Sequence, residues 1–418
     1  METIRKTSQL RSELMADITK GETSCNHNRN NGGNANAAAK GGSNQSTMPH
    51  SPLIRVTEPT LAPLEGIAQR LIGIWADRNV TNQGPYAREL ESALTAWLGI
   101  TGISLVSSGT AALMLALAAF DMEGEVITTP FTFVATTHAI RWAGLRPVFA
   151  DIDYDSMTLD PIAVRHAITD RTVAILDVHL FGRPGHVEEL AQLASEFQLK
   201  LLFDGAHAFG VRDEGGSILR HGDATAVSFH ATKVFNTIEG GAIVASDMTL
   251  LQKISRLRNF GLEDKESIGL VGLNAKMNEV QASIGLANLI EIDAAIAYRE
   301  VLHNRYIDRL AGVRGVVCPK FPGGHVSNYA YFPIMLSSLG PRSRDSLRAT
   351  LSNHGIQSRS YGFPLLSEHA AYMGLASAEP DNLRIAHSVS SQVLCLPLHT
   401  QLRTEDIDRV CDVIASGG

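Results

Sequence analysis

The sequence predicts an α/β protein built on a mainly parallel or mixed sheet. Short apolar segments of four to six residues alternate with helix-length segments between about residues 100 and 246, the rhythm of strands joined by crossover helices. Several are continuous apolar runs rather than alternating ones, as expected of strands covered on both faces. Polar and small residues repeatedly follow their carboxyl ends, where such sheets bind ligands.

Taken in order, residues 1–50 stand apart. Residues 1–20 place Ile4, Leu10, Leu14 and Ile18 at spacings compatible with a short amphipathic helix, and residues 21–50 are Asn, Gly, Ala and Ser with little to bury. The expectation is a disordered N-terminal tail. Leu90, Leu94, Trp97 and Leu98 share one helical face, with Gly99 placed to end that helix. Strands are expected at Ile103–Val106 and at 125–129, 146–150, 173–178, 201–204, 226–229 and 241–246. Asp160–Pro161 reads as an N-cap followed by an N1 proline. After about residue 277 one long helical stretch runs to Leu310, followed by a smaller α+β segment that closes on TEDIDRVCDVI.

Composition narrows the function. The net charge of −7 argues against an electrostatic nucleic-acid binder. The longest apolar stretch, Ala111 to Phe120, is half of the roughly 20 residues a membrane span needs. The N-terminus has no apolar signal region. Cys25, Cys318, Cys395 and Cys411 form no CxxC pair, so no metal site is expected, and a reducing, cytoplasmic setting fits best.

Four features lie at expected strand ends. Ser107-Ser108-Gly109-Thr110 opens an apolar helix, where small residues and free amides suit an anion; a capped helix start explains it equally. Asp204 ends the run KLLFD, as a cation partner or as an N-cap. Lys233 follows AVSFHAT, as a surface residue or as a nucleophile. Phe133 follows another strand end, as core or as a stacking plate. Together, a phosphate cradle, a carboxylate for a pyridinium nitrogen, a Schiff-base lysine and an aromatic plate are what pyridoxal 5′-phosphate (PLP) requires. Asp151-Ile152-Asp153-Tyr154-Asp155 imitates a calcium loop, but Ser156 and Ile162 replace the required Gly and Glu. It also imitates a DxD motif, which leaves open a nucleotide-sugar glycosyltransferase or binding protein.

SSGTAALMLAL, TPFTFVATTHAI, FADID, VHLFGRPG, LLFDGAHAFG, SFHATKVFNTIEGGAIV, LRNFGL and GLNAKMNEVQASIGLANL resemble, in order and spacing, the DegT/DnrJ type of nucleotide-sugar aminotransferases. The resemblance runs from about Ile54 to Ile414. It implies the type I fold of PLP-dependent transferases, with a seven-stranded large domain at 51–290 and a smaller α+β domain at 291–418. It implies Lys233 as the cofactor-bearing lysine, Asp204 on the ring nitrogen, Phe133 stacked on the ring and His207 on the O3′ side. Gly109, Thr110 and Ser228 would hold the phosphate, with Asn274 supplied by the neighbouring subunit of a homodimer. VTNQGPYARELESAL and SFHATKVFNTIEGG are most similar to the branch that moves an amino group from L-glutamate to C4 of dTDP-4-dehydro-6-deoxy-D-glucose; a C3-specific or other nucleotide-ketosugar aminotransferase is the near alternative. Lys233 itself argues against the family's dehydratases, where histidine replaces the lysine. His207, Gly205 and Gly362 depart from the family's commoner Gln, Ala and aromatic residue.

Overall fold

The computed structural model describes residues 53–416 apart from 265, 338 and 339; the two readings of residues 1–50 lie outside the described residues. Helix α1 (Leu64–Asp77) precedes α2 (Pro85–Leu98), which opens on a proline and closes at Gly99, left-handed with φ 65°. Leu90, Leu94 and Leu98 are buried along one side of α2, as a four-residue spacing dictates, and Trp97 stacks on Phe209 at 5.0 Å.

The alternating region forms β1 (Ile103–Val106), α3 (Gly109–Ala118), β2 (Glu125–Thr128), α4 (Val134–Trp142), β3 (Arg146–Phe149), α5 (Pro161–Ala167), β4 (Thr172–Val178), α6 (Val187–Phe197) and β5 (Lys200–Asp204). The small hairpin of β6 (Arg212–Asp213) and β7 (Gly216–Ser217) then leads to β8 (Ala224–Ser228) and β9 (Gly241–Val244). Asp160 caps α5 through the Ile162 amide, ahead of Pro161. Seven strands join in the order β1-β9-β8-β5-β4-β2-β3. β9 runs antiparallel to both neighbours; the other pairings are parallel.

Side chains alternate between the two faces of this sheet. Ile127, Ile175, Leu201, Phe203 and Val227 enter one core, with residues of α2 and α6. Val126, Ala174, Leu176, Leu202 and Ala226 enter another, with α3, α4 and α7 (Met248–Leu257). Both faces are therefore covered, which is why these strands read as unbroken apolar runs.

The long helical stretch is two helices, α8 (Glu279–Ile290) and α9 (Ile292–Leu310), bent by 59°. Glu291 breaks the run without Gly or Pro, at φ −93° and ψ −3°. The cause is packing in two directions. Ala282 and Leu286 of α8 face the first core of the large sheet, whereas Leu302, Tyr306 and Leu310 of α9 enter a separate core. That core belongs to an antiparallel sheet of β10 (Val316–Val317), β11 (Phe332–Leu336) and β12 (Val393–Leu396). Helices α10 (Arg344–Asn353) and α12 (Thr404–Ala415) cover it, and α11 (Arg384–Gln392) precedes β12. Phe131, Phe149 and Phe181 from the large-sheet half pack with Tyr361, Leu365 and Val389 in a fourth cluster. No single helix among the described residues is long and apolar enough to cross a membrane.

Candidate active site

The same two-residue period builds the site. Val178, Asp204 and Ser228 end β4, β5 and β8, each two residues beyond Leu176, Leu202 and Ala226, and so project on the face that carries α3 and α4. There they line a cavity of about 280 Å³, together with Ser108, Gly109, Thr110, Phe133, His207 and Lys233. Of the eight residues expected at the site, seven line it and Asn274 does not.

One end of the cavity is the N-terminus of α3. Ser108 caps the helix by accepting from the Ala111 amide at 3.1 Å, so the capped-helix reading of SSGT holds. The cap leaves room for an anion beside it, because the first amides of a helix have no carbonyl one turn back. Glycine is required here: a Cβ on Gly109 would lie 2.7 Å from the Ser228 Cβ, and one on Gly241 2.7 Å from the Ser108 backbone. Helix start and strand end therefore close to a gap with no room for side chains between them.

Asp204 is buried. It accepts from the Thr136 hydroxyl at 2.7 Å and from the Ala206 amide at 3.0 Å. Burial pushes its carboxyl above the ordinary range, and the two hydrogen bonds and the Lys233 charge oppose that push. Lys233 stands in the connection between β8 and β9. Burial lowers its amine from 10.5 to about 8; Asp204 opposes the shift and Arg359 adds to it. An amine near 8 is neutral often enough near physiological pH to act as a nucleophile or base.

Phe133 is the N-cap residue of α4 and 53% exposed. It is therefore a cavity-wall ring rather than core. The His207 Nδ1 accepts the Phe181 amide at 3.2 Å, and its Nε2 lies 3.2 Å from the Tyr331 hydroxyl. That pattern sets the neutral tautomer with hydrogen on Nε2, and burial keeps the imidazole well below its ordinary pKa, with Lys233 and Arg359 adding to it. Gly205 lacks a side chain because a Cβ would meet Leu219 at 2.7 Å and Thr225 at 2.8 Å. Gly362, at φ 62°, would bring a Cβ to 2.4 Å from the Phe131 ring, which excludes an aromatic side chain on this backbone.

Asn274 lies elsewhere in its own chain. Its backbone bridges Asn259 and its side-chain oxygen accepts from Lys276 at 3.1 Å. The DxD-like segment is structural. Asp151 accepts from the Ile385 and Ala386 amides at 2.9 and 2.8 Å, capping α11, and Asp153 closes a turn on the Asp155 and Ser156 amides. Thr136, Tyr331, Tyr361 and Arg359 escaped the sequence reading. Thr136 was accessible to it, three residues after Phe133 and so at the same helix end; the other three come from the smaller half of the chain, and no spacing ties them to the strand ends.

A buried carboxylate, a neutral-prone lysine and a helix start around one cavity fit an aminotransferase site of the PLP-dependent type I class. The residues fit that cofactor on geometry: the close approach of Gly109 to Ser228 leaves helix amides open to a phosphate, and the Asp204 carboxyl, buried and held by Thr136 and Ala206, offers a fixed acceptor to a ring nitrogen. The chain belongs to the DegT/DnrJ/EryC1/StrS aminotransferase family, whose profile matches residues 65–415. It is 42% identical over 361 residues to the dTDP-4-amino-4,6-dideoxy-D-glucose transaminase of Shigella dysenteriae, covering 86% of this chain and 98% of that one. The Escherichia coli enzyme of the same name is 41% identical, with the same coverage. The crystal structure of DesI in the presence of its TDP-sugar product superposes with a TM-score of 0.84 at 35% identity, over 88% of this chain and 93% of that one.

Proposed function

We propose that this aminotransferase uses PLP to move the amino group of L-glutamate to C4 of dTDP-4-dehydro-6-deoxy-D-glucose, giving dTDP-4-amino-4,6-dideoxy-D-glucose. The observation that carries the chemistry is the buried Lys233 amine, held near 8 in the cavity that Asp204 and the α3 N-terminus share. The choice of sugar rests on the names of the two transaminases matched along nearly their whole length.

Each residue then has a task. Amides at the α3 start and the Ser228 hydroxyl would bind the phosphate, with Gly109 keeping the approach open. Asp204, fixed by Thr136 and Ala206, would keep the ring nitrogen protonated. Phe133 would cover the ring, and His207 would donate from Nε2 toward its oxygen. Bound PLP supplies an electron sink conjugated to the carbon that loses or gains a proton. Lys233 Nζ, free as an amine, would accept a proton from one of the two carbons flanking the transferred nitrogen and return it to the other. We propose further that the catalytic unit is a homodimer in which Asn274 serves the partner's phosphate site.

Incubating the enzyme with glutamate and a panel of nucleotide ketosugars, followed by mass and NMR analysis of the products, tests the assignment. The expected result is an amine at C4 of the dTDP-linked 6-deoxysugar, with 2-oxoglutarate formed in equal amount. Amination only of a 3-ketosugar, or of a sugar on another nucleotide, refutes the substrate. Absence of a borohydride-sensitive visible band from the PLP-treated protein refutes the cofactor.

A further inference from the structure

Buried arginines among the described residues have partners. Arg258 pairs with Glu91, while Arg183 and Arg299 donate to main-chain carbonyls. Arg359 differs. It lines the active-site cavity, yet among the described residues its guanidinium has neither a carboxylate nor a hydrogen-bond acceptor. Its backbone is fixed by reciprocal hydrogen bonds with Cys395 at 3.0 and 2.9 Å, at the edge of the small sheet, and its guanidinium packs over the Tyr361 ring at 5.1 Å. Backbone and ring thus aim the cation without neutralising it.

We propose that Arg359 binds the carboxylate on the amine-bearing carbon of the amino donor, and so selects an amino acid for the first half of the reaction. This rests on the function proposed above. Planar guanidinium matches carboxylate in two parallel hydrogen bonds, and an aromatic support limits the side-chain entropy lost on binding.

Two anions could use this cation, and position separates them. Arg359 belongs to the wall formed with Tyr361 and Tyr331, and its charge is felt at Lys233 and His207. Ser108, Gly109, Thr110 and Ser228 line the cavity from the start of α3 and the end of β8. A donor amino acid reacting where the lysine amine sits carries its carboxylate one bond from the reacting carbon. The diphosphate of a nucleotide sugar hangs from C1, across the sugar ring from C4, and extends away from that point. A cation that lines the cavity with Lys233 and packs on Tyr361, whose ring stands 5.7 Å from that of His207, therefore suits the carboxylate. Once the amino acid has left as its oxo acid, the site is free for the second substrate.

The test follows the two halves separately in the loaded enzyme, from the absorbance change on adding either amine: L-glutamate, or the dTDP-aminosugar in the reverse direction. For Arg359→Gln, the half-saturating glutamate concentration is expected to rise about tenfold to a hundredfold, the range for losing a charge-assisted bidentate contact. That for the aminosugar should stay within about threefold of wild type. Arg359→Lys should recover part of the loss, since it keeps charge without the fork. Calorimetric binding of glutarate, which has no amine, should weaken with the glutamate effect, giving a readout independent of turnover. Unchanged glutamate saturation, or an equal or larger loss with the aminosugar, overturns the assignment. A wild-type enzyme that responds to neither amine instead defeats the function on which it rests.

Discussion

The Lys233 amine can be tested without any sugar substrate. Its value of about 8, against an ordinary 10.5, changes how much of it is neutral. At pH 7 about one molecule in eleven carries the free amine, against about one in three thousand for an unshifted lysine, an advantage of about 300-fold. Only the free amine attacks an aldehyde. The rate at which the apoprotein captures pyridoxal, trapped with cyanoborohydride and measured as mass added at Lys233, should therefore rise with pH through a midpoint near 8. Asp204→Asn gives the sign. The carboxylate favours the ammonium form, so its removal leaves burial and Arg359 unopposed and moves the midpoint below 8. The same displacement appears in stability. Between about 8 and 10.5 the unfolded chain holds a proton on this lysine that the folded chain has released, so stability rises with pH across that window; Lys233→Ala should flatten that rise. A wild-type midpoint near 10.5, or an upward shift in Asp204→Asn, would refute the electrostatic account.

Asp151→Ala should lower thermal stability by about 1–2 kcal/mol, the usual worth of a helix cap, while the turnover of the folded fraction stays near wild type; a large loss of turnover at unchanged stability would return the DxD-like segment to the chemistry. Gly362→Ala forces a left-handed non-glycine residue against Phe131 and should cost about 2 kcal/mol or more, read by denaturant unfolding, with an unchanged midpoint counting against the packing argument. For the shared site, Lys233→Ala chains reassembled with severely impaired Asn274→Ala chains should restore about a quarter of wild-type activity, because half the dimers then contain one complete site. Activity no higher than the parents' average, with mixed dimers confirmed by mass, would place Asn274 within its own chain's function.

How far the sequence reached depended on how local each cause was. Strand ends were legible because apolar runs stop at Asp204 and just beyond Ser228, and helix limits because Gly99 and Pro161 act on their own backbone. Lys233 was legible only in combination, since burial of its amine comes from residues more than a hundred positions apart. The break at Glu291 left no local mark. Ile290 and Ile292 continue a helical pattern on both sides, and the bend arises because α8 and α9 bury their faces in different cores. Arg359, Tyr331 and Tyr361 reach the site from the smaller half of the chain, which folds around its own sheet. Their role is a product of how the two halves meet, and periodicity carries no record of that.

The reversed direction of β9 has a consequence for what the site can accept. Because β9 returns beside β8, Ser228 pairs with Gly241, and the Lys233 segment is tied off at its base by the Phe229 amide on Gly240 and the Ala231 amide on Ile238. Gly241 in turn presses against Ser108 at the start of α3. The anion anchor and the amine are thus mounted on one frame, and their separation is fixed by hydrogen-bonded register rather than by a swinging loop. Such a frame works as a gauge. It would grip a molecule whose phosphate and aldehyde stand at the matching interval and give a shorter or longer one only half its holds, whatever the rest of the chain does as substrates come and go.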